Sequence, residues 1–262
     1  MPTTRTPAVA GMFYPGNAAE LRTEVQAFLH QVPTSAEAPP KAIIVPHAGY
    51  IYSGPIAASA YARLKAARDS ITRVVLLGPS HRVGFRGIAI SGMEAFATPL
   101  GRIPLDQEAI ATIRSLPEVG FLEQAHAQEH SLEVHLPFLQ EVLGTFTLTP
   151  LVVGDARPPQ VGAVLEALWG GPETLIVISS DLSHYHDYQT ARSMDRETSD
   201  AIEQLRFEDI GYEQACGRNP VNGLLWVARR KGLRGETLDL RNSGDTAGTR
   251  DQVVGYGAYV FH

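Results

Sequence analysis

Three histidines stand just after apolar runs that are typical of buried strands. The runs cover residues 42–45, 74–77 and 175–178. The histidines that follow them are His47, His81 and His184. Continuous Val, Ile and Leu runs without polar alternation indicate strands buried on both faces, as in parallel sheets. Because the carboxyl ends of such strands meet at one edge, we expect the three imidazoles to form a metal site or an acid/base site.

A second concentration of ligating residues lies between these strands. It comprises His126, Glu129, His130 and His135. His126 and His130 are four residues apart, as in zinc-binding helices, which makes a separate metal site one alternative. The favoured interpretation places Glu129 and His130 beside the first site, where carboxylates and imidazoles orient the metal ligands without binding the ion themselves.

Two other residues complete the candidates for chemistry. Asp245 lies in the polar segment 242–248, which predicts a turn, and its carboxylate is a candidate third ligand for a site with two histidines. Cys216 is the only cysteine. We predict a helix over residues 207–216 in which Cys216 is a small buried apolar residue, since no second cysteine suggests zinc or redox chemistry.

The elements that must position these residues alternate between strands and helices. The chain has 262 residues, of which 44% are hydrophobic and 19% charged, values ordinary for a globular protein. With no fixed repeat, the alternation predicts one α/β domain over residues 1–262. We expect a three-layer α/β/α sandwich around a mostly parallel or mixed sheet.

Charge and hydropathy exclude several classes of partner. The net charge of -6 and the scattered 22 Lys and Arg residues argue against binding to nucleic acid. No apolar run approaches the roughly 20 residues that cross a bilayer, and the amino terminus lacks the pattern of a signal peptide. The sequence therefore predicts a cytoplasmic protein without nucleic-acid or membrane partners.

Several motifs occur in an order that resembles the Memo family, also called AmmeMemoRadiSam system protein B. The matching segments are Pro7-Ala-Val-Ala-Gly, Pro46-His-Ala-Gly-Tyr50, Gly78-Pro-Ser-His81, Glu129-His-Ser-Leu-Glu133, Ser179-Ser-Asp-Leu-Ser-His184 and Asn242-Ser-Gly-Asp245. The resemblance covers nearly the whole chain. It implies a fold similar to that of LigB-type class III extradiol dioxygenases, with a metal crevice.

The resemblance also implies roles for individual residues. The two metal-binding histidines of the family correspond to His47 and His81, and His184 is the histidine after the Ser-Ser-Asp turn. Animal members have a cysteine as the third ligand, and we predict Asp245 in that place. Two histidines and one carboxylate are the facial ligand set of non-haem Fe(II) oxygenases.

These residues lead to one main functional hypothesis and two alternatives. The first is an oxidoreductase in which Fe(II) is held by His47, His81 and Asp245, while His184 moves protons, beside Glu129 and His130. Asp181 either orients His184 or is part of its hydrogen-bond network. Zinc, manganese and copper are alternative metals. The alternatives are a non-catalytic regulatory protein that binds metal or peptide, and a zinc hydrolase. The substrate is predicted to be a small molecule or a peptide, and the family name implies AMMECR1-type and radical-SAM partners.

Overall fold

A large mixed sheet lies at the centre of the molecule. The computed structural model describes residues 3–262. Its strands are β1 Thr4–Arg5, β2 Ala42–Val45, β3 Arg73–Pro79, β4 Ile88–Ile90, β5 Ala95–Thr98, β6 Gly101–Pro104, β7 Val119–Phe121, β8 Thr147–Val153, β9 Thr174–Ser179, β10 His184–His186, β11 Gly235–Asn242 and β12 Val253–Phe261. Nine of these form one sheet in the order β10-β12-β2-β9-β3-β8-β4-β7, with β11 paired to β12. The other three, β1, β5 and β6, form a small separate sheet.

The four central strands of the large sheet are parallel. β9 lies between β2 and β3, and β8 lies on the far side of β3. All of β2 and β9 is buried, as the uninterrupted apolar runs predict. β12 and β4 flank this group in the antiparallel direction. The three histidine-bearing strands are therefore immediate neighbours, and their carboxyl ends share one edge.

Helices cover the sheet on both faces. They are α1 Ala18–Gln31, α2 Tyr50–Tyr61, α3 Gln107–Ile113, α4 Glu123–Ala127, α5 Leu136–Val142, α6 Pro158–Ala167, α7 Tyr188–Glu203 and α8 Arg218–Lys231. α1, α2 and α5 pack together as one group, α6 and α8 as another, and α7 packs on β11 and β12. The predicted three-layer α/β/α architecture with a mixed sheet is confirmed.

One sequence expectation about local structure, the helix that was to contain Cys216, needs correction. The helix predicted over residues 207–216 is wrong, because only a short 3₁₀ turn at Phe207–Asp209 forms and α8 begins at Arg218. Cys216 therefore lies in a turn and not inside a helix. Within residues 3–262, none of the helices has both the length and the apolar character needed to cross a membrane.

Candidate metal centre

His47 lies in the buried loop that follows β2. Only 2% of this residue is exposed, and its Nδ1 atom is 2.7 Å from the hydroxyl of Ser179, at the end of β9. That hydroxyl donates its single proton to the carbonyl of Ser131, at 2.6 Å. The oxygen of Ser179 must therefore accept from His47, which places the ring proton on Nδ1 and leaves the lone pair of Nε2 free.

The same serine connects His47 to a second, deeper imidazole. His135 is 1% exposed, and its Nε2 atom is 2.8 Å from the Ser179 hydroxyl. Its Nδ1 atom is 2.9 Å from the hydroxyl of Tyr61. Since Ser179 accepts, His135 donates through Nε2 and accepts from Tyr61. Every proton in this series of hydrogen bonds therefore has a defined position. Tyr61 and His135 thus help to fix the orientation of His47 through the hydroxyl of Ser179.

His81 follows β3 and is held by a carboxylate. Its Nδ1 atom is 2.8 Å from Oε1 of Glu129, and its backbone N–H donates to Oε2 at 2.6 Å. The backbone N–H groups of His130 and Ser131 also donate to Glu129. An ionised carboxylate only accepts, so Nδ1 of His81 donates to it and Nε2 is the ring nitrogen that remains to bind an ion. The ring centroids of His47 and His81 are 5.1 Å apart.

Cys216 is the third side chain that lies next to the rings of His47 and His81. Its Sγ atom is 3.4 Å from Nε2 of His47, and the potential ligand atoms of His47, His81 and Cys216 all lie within 4.8 Å of one another. The turn that carries Cys216 lies close to the end of β9. A Cβ on Gly217 would be only 2.4 Å from the carbonyl oxygen of Ser179. Glycine is therefore required next to the cysteine.

Asp245 occupies a different place, which corrects the prediction that it joins His47 and His81. Its Oδ1 atom accepts from the hydroxyl of Tyr188 at 2.6 Å, and its Oδ2 atom accepts from the backbone N–H of Asn242 at 3.1 Å. Among the described residues it belongs to neither group of side chains that could share a metal ion. Its short polar side chain is used to close the 3₁₀ turn Ser243–Asp245.

His130 packs against both candidate ligand histidines. Its ring is stacked on His81 at 4.6 Å between centroids and is 5.4 Å from His47. Its Nδ1 atom is 3.4 Å from Glu129, and His81, Glu129 and His130 form a second group close enough to share an ion. The structure thus brings Glu129 and His130 to the site.

The alternative zinc helix at His126 and His130 does not form. α4 ends at Ala127, before His130. His126 is buried, with its Nε2 atom 3.1 Å from the carbonyl of Ala89 and its ring against Phe96. Its partners are therefore those of a core residue.

His184 and Asp181 lie beside this centre with partners of their own. Asp181 accepts from the backbone N–H of His47 at 2.7 Å, and Nδ1 of His184 is 2.8 Å from the carbonyl of Leu182. The expectation that Asp181 holds the His184 ring therefore does not match the hydrogen bonds. His184 is followed by Tyr185, an exposed tyrosine with a φ of 61°. This strained backbone is uncommon for a bulky residue and typical of functional sites.

Burial sets the protonation states of the centre. Burial and neighbouring histidines hold the pKa of His47 well below its usual value, and burial lowers the pKa of His130 to about 4. Burial opposes ionisation of Glu129, but the hydrogen bonds from His81 outweigh it and lower the pKa of Glu129 to about 2. Burial raises the pKa of Asp181 to about 6. The imidazoles of His47 and His130 are thus neutral near pH 7, the form in which an imidazole can bind a metal.

The thiol of Cys216 differs from the imidazoles in its protonation. Burial and the nearby charge of Asp181 raise the pKa of Cys216. A thiol in these surroundings stays protonated unless a cation stabilises the thiolate. Two imidazoles that present lone pairs, next to a thiol that needs a cation to ionise, fit a transition-metal ion.

Comparison with other proteins gives matches along almost the whole chain. A family model described as Memo-like protein matches residues 5–260. A MEMO1 family protein of Sulfolobus acidocaldarius is 34% identical over 276 residues, which cover 96% of this chain and 97% of that protein. A MEMO1 family protein of Aquifex aeolicus is 37% identical over 268 residues, or 98% of each chain. Among solved structures, the crystal structure of the uncharacterized protein JW3007 from Escherichia coli K12 aligns with a TM-score of 0.47 at 15% identity, covering 84% of this chain and 98% of that one.

Proposed function

Because the chain belongs to the Memo family, we propose that it holds one transition-metal ion through His47, His81 and Cys216 and uses it in an oxidoreductase reaction. The observation that carries the proposal is the arrangement of the two rings. Each ring gives its Nδ1 proton to a fixed partner, so that both Nε2 lone pairs remain free in the group that includes the thiol. Such partners around a metal site orient the ligands and fix their tautomers.

The donor set narrows the choice of metal. Imidazole suits iron, copper and zinc, and thiolate favours the softer ions, whereas manganese prefers oxygen ligands. We propose Fe(II), in keeping with the resemblance to non-haem ring-cleaving dioxygenases. When bound, redox-active iron supplies electron transfer to dioxygen. Three protein ligands leave coordination positions for a substrate.

The remaining side chains have roles around the substrate. His184 is held at Nδ1 by the carbonyl of Leu182, so its Nε2 atom is available to take or give a proton. Glu129 supplies a negative charge that offsets the charge of the ion and strengthens His81 as a ligand. The substrate is proposed to be a small molecule or a peptide. AMMECR1-type and radical-SAM proteins stay predicted partners.

Metal analysis of protein purified without oxygen tests this proposal. We expect about one iron per chain in the wild type, little in Cys216→Ser, and the wild-type content in the control Asp245→Asn. Stoichiometric zinc would favour a hydrolase instead of an oxidoreductase. A folded protein that takes up no metal would contradict the metal site and favour a non-catalytic role.

A further inference from the structure

A cavity beside α7 has no role in the proposed metal site. It lies between α7 and the end of β11 and has a volume of about 420 Å³. This volume is within the range of pockets that bind small molecules. Its lining includes Arg192, Arg196 and Arg241, together with the neutral side chains Gln189, Ser193 and Asn242.

Two of the three arginines have no carboxylate partner. Arg192 and Arg196 are four residues apart on α7, so they lie on the same face of the helix. Among residues 3–262, neither has a carboxylate oxygen within 4.0 Å. Like charges at this spacing destabilise a helix unless an opposite charge compensates them. The chain as a whole is acidic, with a net charge of -6, so its composition alone does not account for this concentration of cations.

The third arginine is fixed in place across the cavity. Arg241 is held by Asp239, with its Nε atom 2.9 Å from one carboxylate oxygen and its Nη2 atom 2.6 Å from the other. This contact uses one edge of the guanidinium and leaves the N–H groups of Nη1 free. Arg241 thus adds directed donors but little net charge, because Asp239 neutralises it.

The two carboxylates in the lining are engaged elsewhere. Asp245 is held by Tyr188 and Asn242, and Asp195 accepts from the backbone N–H of Ser183 at 3.0 Å. Asp195 also packs directly on Gly255, where a Cβ would lie 2.0 Å from its Oδ2 atom. Burial raises the pKa of Asp195, which favours its neutral form. The carboxylates therefore leave Arg192 and Arg196 available to a ligand.

We propose that this cavity binds a small phosphate monoester. The phosphate carries a charge of about -2 near neutral pH, which matches the two guanidiniums that have no carboxylate partner. Arginine forks suit phosphate oxygens through paired N–H bonds. Gln189, Ser193 and Asn242 can bond to hydroxyl groups on the rest of the ligand. Asp195, in contact with Ser183, connects this cavity to the segment that carries His184.

Calorimetric titration of the full chain with glycerol 3-phosphate tests the proposal. Inorganic phosphate, succinate and glycerol serve as comparison probes. We expect glycerol 3-phosphate to bind more tightly than succinate, glycerol to show no binding, and inorganic phosphate to bind weakly. Arg192→Gln with Arg196→Gln should weaken the binding about a hundredfold, roughly tenfold for each lost charge-assisted contact.

A matched control keeps the total charge change the same. Arg86 and Arg114 are exposed and lie outside the cavity, so Arg86→Gln with Arg114→Gln should leave the affinity unchanged. If the cavity double variant fails to fold, Arg192→Gln alone and Arg196→Gln alone should each weaken binding about tenfold. No binding to the wild type at millimolar concentration would overturn the proposal. Binding that survives loss of both arginines would overturn it too, because the phosphate would then lie elsewhere.

Discussion

The two candidate ligand histidines are held by different chemistry. His47 is buried, and a neutral hydroxyl, that of Ser179, fixes its tautomer. The side chain of His81 is 29% exposed, and the ionised Glu129 fixes it. A hydroxyl orients a ring without adding charge to the interior, whereas a carboxylate also makes the ring a stronger ligand. The His47 half of the centre therefore depends on packing, and the His81 half depends on charge.

Removal of each histidine should distinguish the contribution of packing at His47 from that of charge at His81. We expect His47→Ala and His81→Ala each to weaken metal binding on the order of a hundredfold or more, since each removes one of three ligands. In the metal-free protein, His47→Ala should lower the free energy of unfolding by about 2 kcal/mol, because it leaves a buried gap and removes one hydrogen bond to the Ser179 hydroxyl. His81→Ala should change it by less than about 1 kcal/mol. Metal titration and urea unfolding measure both quantities, and equal stability losses would contradict the comparison.

The charge dependence of the His81 half is tested at Glu129. Glu129→Gln replaces an acceptor of four N–H groups by an amide whose own N–H₂ faces those donors. We expect metal affinity to fall about ten- to a hundredfold. Glu108→Gln is the control. It makes the same chemical change at a side chain that is 86% exposed, where no buried charge is removed. Unchanged metal affinity in Glu129→Gln would show that the carboxylate does not support His81.

A buried histidine outside the centre should make the fold sensitive to acid. Burial lowers the pKa of His126 to about 4, from an ordinary value of 6.5. Its neutral form is the folded form, so stability is complete above pH 6.5 and falls as the pH drops from 6.5 toward 4. Between pH 7 and pH 5 this residue should cost about 2 kcal/mol of unfolding free energy. Urea unfolding of the wild type and His126→Gln at both pH values measures it, and an equal loss in the variant would refute the assignment.

The packing dependence of the His47 half is tested at Ser179. Ser179→Ala removes the hydroxyl that joins His47, His135 and the carbonyl of Ser131. We expect about tenfold weaker metal binding, because the His47 ring loses its fixed tautomer. Ser183→Ala is the matched control, since the Ser183 hydroxyl is also buried but makes no hydrogen bond to His47, His81 or Cys216. If both variants bind metal equally well, the hydroxyl of Ser179 has no orienting role.

The His81 half could be predicted from the sequence more fully than the His47 half. A strand that is buried on both faces needs apolar residues throughout, so unbroken apolar runs predict such strands. The positions of the histidines after β2 and β3, at the carboxyl edge of the sheet, follow from those strands. Glu129 and His130 were predicted next to the site from their motif and their ligating residue types. These signals are local in sequence.

The proposed role of Cys216 was not predicted from the sequence, because it depends on packing between distant segments. A single cysteine has no spacing that marks it as a ligand, and only the approach of its turn to β9 brings it to His47. Asp245 had the favoured residue type, but local bonds with Tyr188 and Asn242 hold it in a turn. The Cys-Gly pair just before α8 was the available signal, because a glycine there permits the close approach.

Cobalt substitution tests the central claim, that Cys216 and not Asp245 joins His47 and His81 at the ion. A thiolate bound to Co(II) gives an intense sulfur-to-metal charge-transfer absorption in the near ultraviolet, which nitrogen and oxygen ligands do not give. We expect this band in the Co(II)-loaded wild type and in Asp245→Asn, and its loss in Cys216→Ser, with circular dichroism confirming that all three are folded. A band that persists in Cys216→Ser, or no band in the cobalt-loaded wild type, would contradict the proposed ligand set.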